Sequence, residues 1–227
     1  MFADYVAKVA DLLALQRRIV GVRFIPFELE YGRTDAAEIK GKGRLCAFVN
    51  KACHGDKLKV RRENFSCSGG PHQLGLKPVP ELDGSGRLMS KCGLYSDYSI
   101  GREVTKSFMR ISQEIYGLEI GPLAEMPEAD VIVMMGMSEQ MMKIVRGYSY
   151  HYGRPQNFVS VGNAAMCSDL VAKPFVRNDI NVSLMCCGAR TSTVSDEGEL
   201  GIGMPVNMFE GVSEGILKVF GNNKMEV

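Results

Sequence analysis

Apolar residues recur along the chain with two different spacings, which predict alternating helices and strands. Phe2–Gln16 places its apolar residues on one helical face, with charged residues on the other. Arg17–Phe27 is rich in branched and aromatic residues and is typical of a strand, whereas Leu45–Cys53 returns to helical spacing. The second half predicts further elements in the same way: a strand at Asp130–Gly136, helices at Gln140–Tyr152 and Ala164–Val171, a strand at Ile180–Leu184, and a final helix at Val212–Phe220.

Glycine, proline and mixed charge interrupt these periodic segments. Residues 28–43 have the composition of a loop, and Lys77–Cys92 has that of a loop or lid. Leu118–Asp130 contains two prolines and is interpreted as the linker between the two halves. We expect a short strand at Phe158–Val161 and a strand at the sheet edge at Leu200–Met204.

The order of predicted elements is similar in the two halves. Each half offers a strand, then a helix ended by glycine, then a short strand that leads into a turn of small residues. We therefore predict a single α+β (or α/β) domain over residues 1–227, with a mixed sheet and flanking helices. Its halves, approximately 17–117 and 128–220, would be related by a pseudo-twofold duplication.

Composition narrows the function classes. The chain has 227 residues, 27 Lys and Arg against 26 Asp and Glu, and a net charge of +1, so a nucleic-acid partner is not expected. No apolar run approaches the length of a membrane span, and charged residues interrupt the N-terminal segment, which favours a cytoplasmic protein. Fourteen methionines are mostly expected in the core, although a methionine-rich surface would also suit a homodimer.

Seven cysteines are the most informative feature. An odd number without an export signal argues against a disulfide framework. The first half carries Cys46 and Cys67, and the second half carries Cys167 and Cys186 at a similar spacing. If the halves are related, these four thiols could converge and bind zinc or an iron–sulfur cluster. The alternative is that they are buried structural cysteines, since no C-x-x-C pair is present.

A second candidate site is the turn that contains Cys67. Backbone N–H groups of Ser66, Ser68, Gly69 and Gly70 could bind an anion, and Cys67 could then act as a nucleophile. No lysine follows these glycines, so the turn is not a nucleotide phosphate loop.

Arg190 follows a predicted strand in the second half, where a guanidinium could hold a carboxylate or phosphate. It could equally pair with the acidic residues that follow it.

Several segments together resemble the uncharacterised DUF169 family. They are Arg44–Cys46, Glu63–Gly70 running into Leu74–Leu76, Asp130–Gly136, Asn181–Arg190, Glu199–Leu200 and Gly203–Pro205. The resemblance covers roughly residues 15–220 and singles out Cys46, Cys67, Cys186 and Arg190 as motif positions. It implies no particular activity, but it favours a site built from thiols.

Three functional hypotheses follow. The leading one is a cytoplasmic metal- or cofactor-binding protein, with an iron–sulfur cluster held by Cys46, Cys67, Cys167 and Cys186. The second is an enzyme or sensor that binds a small anionic metabolite beside a reactive Cys67. The third is a non-catalytic dimerising domain whose cysteines only fill the core.

Overall fold

The computed structural model describes residues 2–154, 156–191 and 194–221. Within these residues a mixed sheet of seven strands runs in the order β2-β3-β4-β1-β5-β7-β6. The strands are β1 Val20–Ile25, β2 Ala37–Glu38, β3 Leu58–Arg61, β4 Gly117–Pro122, β5 Val131–Gly136, β6 Asn181–Ser183 and β7 Leu200–Pro205. All neighbouring pairs are antiparallel except β2 and β3. The α+β prediction with a mixed sheet is therefore confirmed.

Helices cover both faces of this sheet. They are α1 Phe2–Leu12, α2 Glu28–Arg33, α3 Leu45–Cys53, α4 Gly69–Gln73, α5 Arg87–Lys91, α6 Tyr98–Ser107, α7 Ser138–Tyr152, α8 Lys173–Arg177, α9 Cys187–Thr191 and α10 Phe209–Phe220. A π-helical segment, Ala165–Ala172, runs directly into α8. None of the helices in the described residues is long and apolar enough to span a membrane.

Each face of the sheet has its own apolar core. Along β5, Val133 and Met135 belong to one core, and Ile132 and Met134 belong to the other. Successive side chains of a strand point to opposite faces, so a strand that is buried on both sides is apolar throughout. The first core lies under α3 and the π-helical segment, and the second lies under α1, α7 and α10.

The two halves of the chain contribute the strands at opposite ends of the strand order. The seam between them is the antiparallel pairing of β1 with β5. Strands β2 to β4 lie beyond β1, and β6 and β7 lie beyond β5. The duplication itself stays a prediction.

The linker predicted at Leu118–Asp130 is wrong, because β4 occupies its first part and pairs with both β1 and β3. Its glycines allow close packing rather than flexibility. A methyl group on Gly117 would lie 2.4 Å from the ring of Tyr31, and one on Gly121 would lie 3.1 Å from the side chain of Lys57. Glycine here makes room for side chains that cross the strand.

Four smaller predictions also differ from the structure. Strand β7 lies inside the sheet between β5 and β6, not at its edge. A methyl group on Gly203 of this strand would collide with the carbonyl oxygen of Leu170. Phe158–Val161 forms no strand. The loop predicted over residues 28–43 contains α2 and β2, and the loop or lid at Lys77–Cys92 contains α5.

Candidate four-cysteine site

Five cysteines line one cavity of about 490 Å³ on the first core; Cys92 is exposed, and the other four come from distant parts of the chain. These four are Cys46, Cys67, Cys167 and Cys186, the set that the spacing had suggested, and all but Cys167 are also positions of the family resemblance. Two come from the first half and two from the second. None of the seven cysteines, all of which lie in the described residues, forms a disulfide.

The first-half pair is held by a short loop interaction. Cys46 is buried in the first turn of α3, directly after Arg44 and Leu45. Cys67 lies in the turn before α4, where the Ser66 N–H donates to the carbonyl of Gly43 at 2.8 Å. This bond ties the Cys67 turn to the residue that precedes the start of α3.

Each cysteine of the second-half pair follows a residue with left-handed backbone geometry. Ala164, with φ of 53°, precedes the π-helical segment that carries Cys167. Met185, with φ of 65°, directly precedes Cys186. Non-glycine residues with positive φ and π-helical turns are both uncommon and occur preferentially at functional sites.

Glycines bring the sulfur atoms together. A methyl group on Gly70 would lie 3.3 Å from the sulfur of Cys67 and 3.3 Å from that of Cys167. The two sulfurs are therefore no further apart than twice that distance. On the other side of the cavity, a methyl group on Gly188 would lie 3.2 Å from Arg44 Nη1 and 3.9 Å from the sulfur of Cys186. Arg44 and Cys186 are thus neighbours as well.

Burial and mutual proximity raise the pKa of two of these thiols. The pKa of Cys46 is raised first by burial and then by Cys186, although Arg44 lowers it. The pKa of Cys167 lies well above 9.0, again through burial first and then through the other three thiols, of which Cys67 has the largest effect. The protein alone therefore favours the protonated form of Cys46 and Cys167.

The thiols share the cavity without forming a tight mononuclear site. Within the described residues, no group of three or more His, Cys, Asp or Glu side chains is arranged to hold a single metal ion. A tetrahedral zinc with Zn–S bonds of 2.3 Å holds its thiolates about 3.8 Å apart.

The remaining lining combines a few polar groups with apolar side chains. Arg44, Gln73 and Asn163 are polar, and the Asn163 side chain also donates to the sulfur of Met89 at 3.8 Å. The apolar part comes largely from the α5–α6 segment (residues 78–107) and the residue after it. Those side chains are Leu82, Leu88, Met89, Cys92, Leu94 and Phe108.

Three of the four turn residues that the sequence predicts to bind an anion line the cavity, and the anion site itself stays a prediction. Ser68, Gly69 and Gly70 line the cavity. Ser66 is not among the lining residues, and its hydroxyl donates to the carbonyl of Gly43 at 3.0 Å. These residues share the cavity with the thiols, so the two predicted sites are one place.

Arg190 does not line the cavity. Its guanidinium donates to the backbone carbonyls of Leu184 at 2.8 Å, Glu199 at 3.0 Å and Asp196 at 3.3 Å. It therefore holds together the loops on either side of Cys186 and Cys187.

The other cysteines have different surroundings. Cys186 faces the cavity, whereas the adjacent Cys187 is exposed and not among the lining residues. Cys92 is exposed at the cavity mouth. Cys53 is buried at the far end of α3, where burial above all raises its pKa to about 12.

Sequence reasoning missed Arg44, Gln73 and Asn163 as lining residues. Arg44 belongs to a segment of the family resemblance, and its position two residues before Cys46, at the start of α3, is the available signal. No pattern in the sequence marks Gln73 or Asn163, because tertiary contacts alone bring them to the thiols.

Comparison with known proteins shows that all four cysteines lie in the part of the chain that matches a family model. A family model described as DUF169, Uncharacterised ArCR, matches residues 8–215. The chain is also 25% identical over 214 residues to a protein of Methanocaldococcus jannaschii named Uncharacterized protein MJ0308. That alignment covers 92% of this chain and 91% of the relative. No solved structure matches the chain.

Proposed function

The chain belongs to the DUF169 family, and we propose that it binds an iron–sulfur cluster through Cys46, Cys67, Cys167 and Cys186. The cluster would serve electron transfer or cofactor handling. The observation that carries the proposal is that these four thiols, two from each half of the chain, line a single cavity. Four cysteine thiolates are the usual ligand set of a [4Fe–4S] cluster.

The size of the cavity that the thiols line supports a cluster over a single zinc ion. A single zinc ion needs its four ligands in close tetrahedral contact, and the described residues contain no such group. A cluster is several atoms across, so it binds cysteines that surround a cavity rather than a point. The small residues Gly69 and Gly70 beside Cys67 keep the inner wall of this cavity open.

The electrostatics of the site also suit a positively charged guest. Burial raises the pKa of Cys46 and Cys167, and the thiols raise one another's pKa, so four bare thiolates would repel each other strongly. Iron ions would remove this repulsion, and the thiols would release their protons as the metal binds.

Reconstitution under anaerobic conditions tests the proposal. The protein is incubated with ferrous iron and sulfide, desalted, and analysed for iron, sulfide and visible absorption. We expect roughly four irons per chain. Serine substitutions at Cys46, Cys67, Cys167 or Cys186 should each lower the bound iron strongly. Cys53→Ser is the matched control, because Cys53 is as buried as Cys46 but lies away from the cavity.

Two results would contradict the proposal. One is a wild-type protein that retains no iron after reconstitution. The other is an equal loss of iron in Cys53→Ser and in the four cavity variants, which would indicate general destabilisation rather than loss of a ligand.

We also propose a cellular location, a class of partner and an oligomeric state for the protein. Seven cysteines without a disulfide suit a reducing compartment, which supports a cytoplasmic location. The near-neutral charge balance supports a partner other than nucleic acid. A homodimer is proposed on the methionine content alone, and most methionines lie in the two cores, which weakens that argument.

A further inference from the structure

The four-cysteine cavity has the size of a ligand pocket. We propose that, beside the cluster, it binds a small organic anion with an apolar body. Arg44 holds the charged end of this ligand, and the side-chain oxygen of Gln73 accepts a hydrogen bond from a donor group of the ligand. This inference rests on the proposed function, because it assigns the substrate class of the same cavity.

Volume is the first argument. The cavity measures about 490 Å³, which lies in the usual range of pockets that bind drug-sized ligands. A pocket of this size suits an organic molecule in addition to the thiol-lined part of its wall.

Gln73 is the second argument. It is only 1% exposed, it lines the cavity, and its side-chain oxygen Oε1 has no hydrogen-bond partner among the described residues. A buried polar atom without a partner is destabilising, so such atoms are rare in native proteins. A ligand that carries a hydroxyl or amine group would supply the missing donor.

Arg44 is the third argument. Its side chain lines the cavity and makes no ion pair or hydrogen bond with any residue that the structure describes. Arg44 is exposed where it lines the cavity, whereas the buried Arg17 is paired with Glu199 and the half-buried Arg23 is paired with Glu30. An unpaired guanidinium at a cavity wall is well suited to bind a carboxylate.

The apolar mouth of the cavity is the fourth argument. Leu88 and Leu94, both in the α5–α6 segment, line the cavity although they are 57% and 51% exposed. With Met89 and Phe108 they give the cavity an apolar rim, which suits the apolar body of a ligand. The ligand therefore combines an anionic end with an apolar body.

The acidic group of the cavity does not oppose this arrangement. Asp83 lines the cavity within the α5–α6 segment, and its carboxylate accepts hydrogen bonds from the Ser85 hydroxyl and the Leu88 N–H. These bonds lower the pKa of Asp83, so it stays charged. An anionic end is consequently directed toward Arg44 and away from Asp83.

Three related probes test the proposal: 3-phenyllactate, 3-phenylpropionate, which lacks the hydroxyl, and 3-phenyllactamide, which lacks the charge. Dissociation constants are measured by ligand-observed NMR on the reconstituted protein. The variants are Arg44→Met and Gln73→Met, and the control is Arg146→Met, since Arg146 is exposed on α7 outside the cavity.

We expect wild type to bind 3-phenyllactate most tightly. Arg44→Met should weaken both carboxylates by about 10- to 100-fold and leave the amide unchanged. Gln73→Met should abolish the preference for 3-phenyllactate over 3-phenylpropionate without lowering the melting temperature, because it removes an unpartnered polar atom. Arg146→Met should behave as wild type.

The proposal is overturned if none of the probes binds wild type, or if the carboxylates bind Arg44→Met as tightly as wild type. A melting temperature lowered by Gln73→Met would show that Gln73 stabilises the fold instead. Iron is counted on the same samples, so loss of the cluster and loss of the anion site are separate results. A wild-type protein without iron would contradict the proposed function, while the titrations would still decide the role of Arg44.

Discussion

The sulfur atoms of Cys67 and Cys167, which come from opposite halves of the chain, flank the same glycine, Gly70. A methyl group on Gly70 would lie 3.3 Å from each of them. One side of the four-cysteine cavity is therefore closed by two thiols separated only by the space above a glycine. Alanine at this position would push both thiols outward.

Gly70→Ala and Gly69→Ala form a matched pair that tests this contact. We expect Gly70→Ala to weaken cluster binding by about 10- to 100-fold, the usual effect of disturbing groups around metal ligands. Gly69→Ala should have little effect, because its methyl group would come only within 3.9 Å of Gln73. The measurement is iron retained against increasing chelator concentration. Equal retention by the two variants would show that the thiols near Gly70 are not ligands.

The buried thiol of Cys53 predicts a loss of stability at alkaline pH. Burial raises its pKa from 9.0 to about 12 in the folded protein, despite the lowering effect of Arg17. Because the unfolded chain ionises this thiol first, its contribution to stability is complete below pH 9 and is lost as the pH rises toward 12. Between pH 9 and 10.5 the loss should reach about 2 kcal/mol.

Urea unfolding of wild type and Cys53→Ala at several pH values measures this contribution. The stability difference between them should shrink by about 2 kcal/mol between pH 8.5 and 10.5. Other groups with raised pKa, such as Tyr31, are present in both proteins and cancel. A difference that stays constant with pH would contradict the prediction.

A buried ion pair supports the π-helical segment that carries Cys167. Lys173 Nζ donates to Asp169 Oδ1 at 2.6 Å, the Ser183 hydroxyl donates to Asp169 Oδ2 at 2.9 Å, and both charged residues are at most 1% exposed. Asp169→Asn leaves the Lys173 charge buried without its partner. We expect a loss of about 3–5 kcal/mol in the free energy of unfolding.

The double variant Asp169→Leu with Lys173→Met provides the control for that prediction. Because it removes both charges together, it should recover most of the stability lost by Asp169→Asn. Urea unfolding of the metal-free proteins measures both. A double variant as unstable as the single one would show that the packing of these two side chains, and not their charges, stabilises the fold.

Arg190 is expected to position Cys186 and not to bind ligand. Arg190→Met removes three hydrogen bonds to the carbonyls of Leu184, Asp196 and Glu199, and it should lower stability by about 1.5–3 kcal/mol. Iron should then be released to a chelator faster than from wild type. Affinity for 3-phenyllactate in the protein that retains its cluster should stay unchanged.

Arg177→Met is the control for Arg190→Met, because Arg177 is exposed at the end of α8 and outside the cavity. It should release iron at the wild-type rate. A large loss of 3-phenyllactate affinity in Arg190→Met alone would instead support the anion-binding role that the sequence suggested for Arg190.

Elements with a strong apolar pattern could be predicted from the sequence. Leu45–Cys53 is a helix with the predicted ends, and Val131–Gly136 is the buried strand that its unbroken apolar run indicates. The pattern failed where glycine had a packing role. Gly117 lies in a central strand because the ring of Tyr31 packs over it, and sequence alone cannot distinguish this from a loop.

The candidate site was predictable only in its cysteines. Their similar spacing in the two halves suggested that four thiols converge, the DUF169 motifs singled out all of them except Cys167, and the four line one cavity. Gln73 could not be found in this way, because its significance lies in a missing hydrogen bond. Arg44 likewise becomes notable only when its lack of an ion partner among the described residues is known.

Metal analysis of protein purified without oxygen tests the central proposal most directly. The account predicts a coloured protein that contains iron and sulfide in roughly equal amounts, about four of each per chain. Serine substitution at Cys67 or Cys167 should remove both. A colourless wild-type protein without iron, or one with a single bound zinc, would contradict the proposal of a cluster in the four-cysteine cavity.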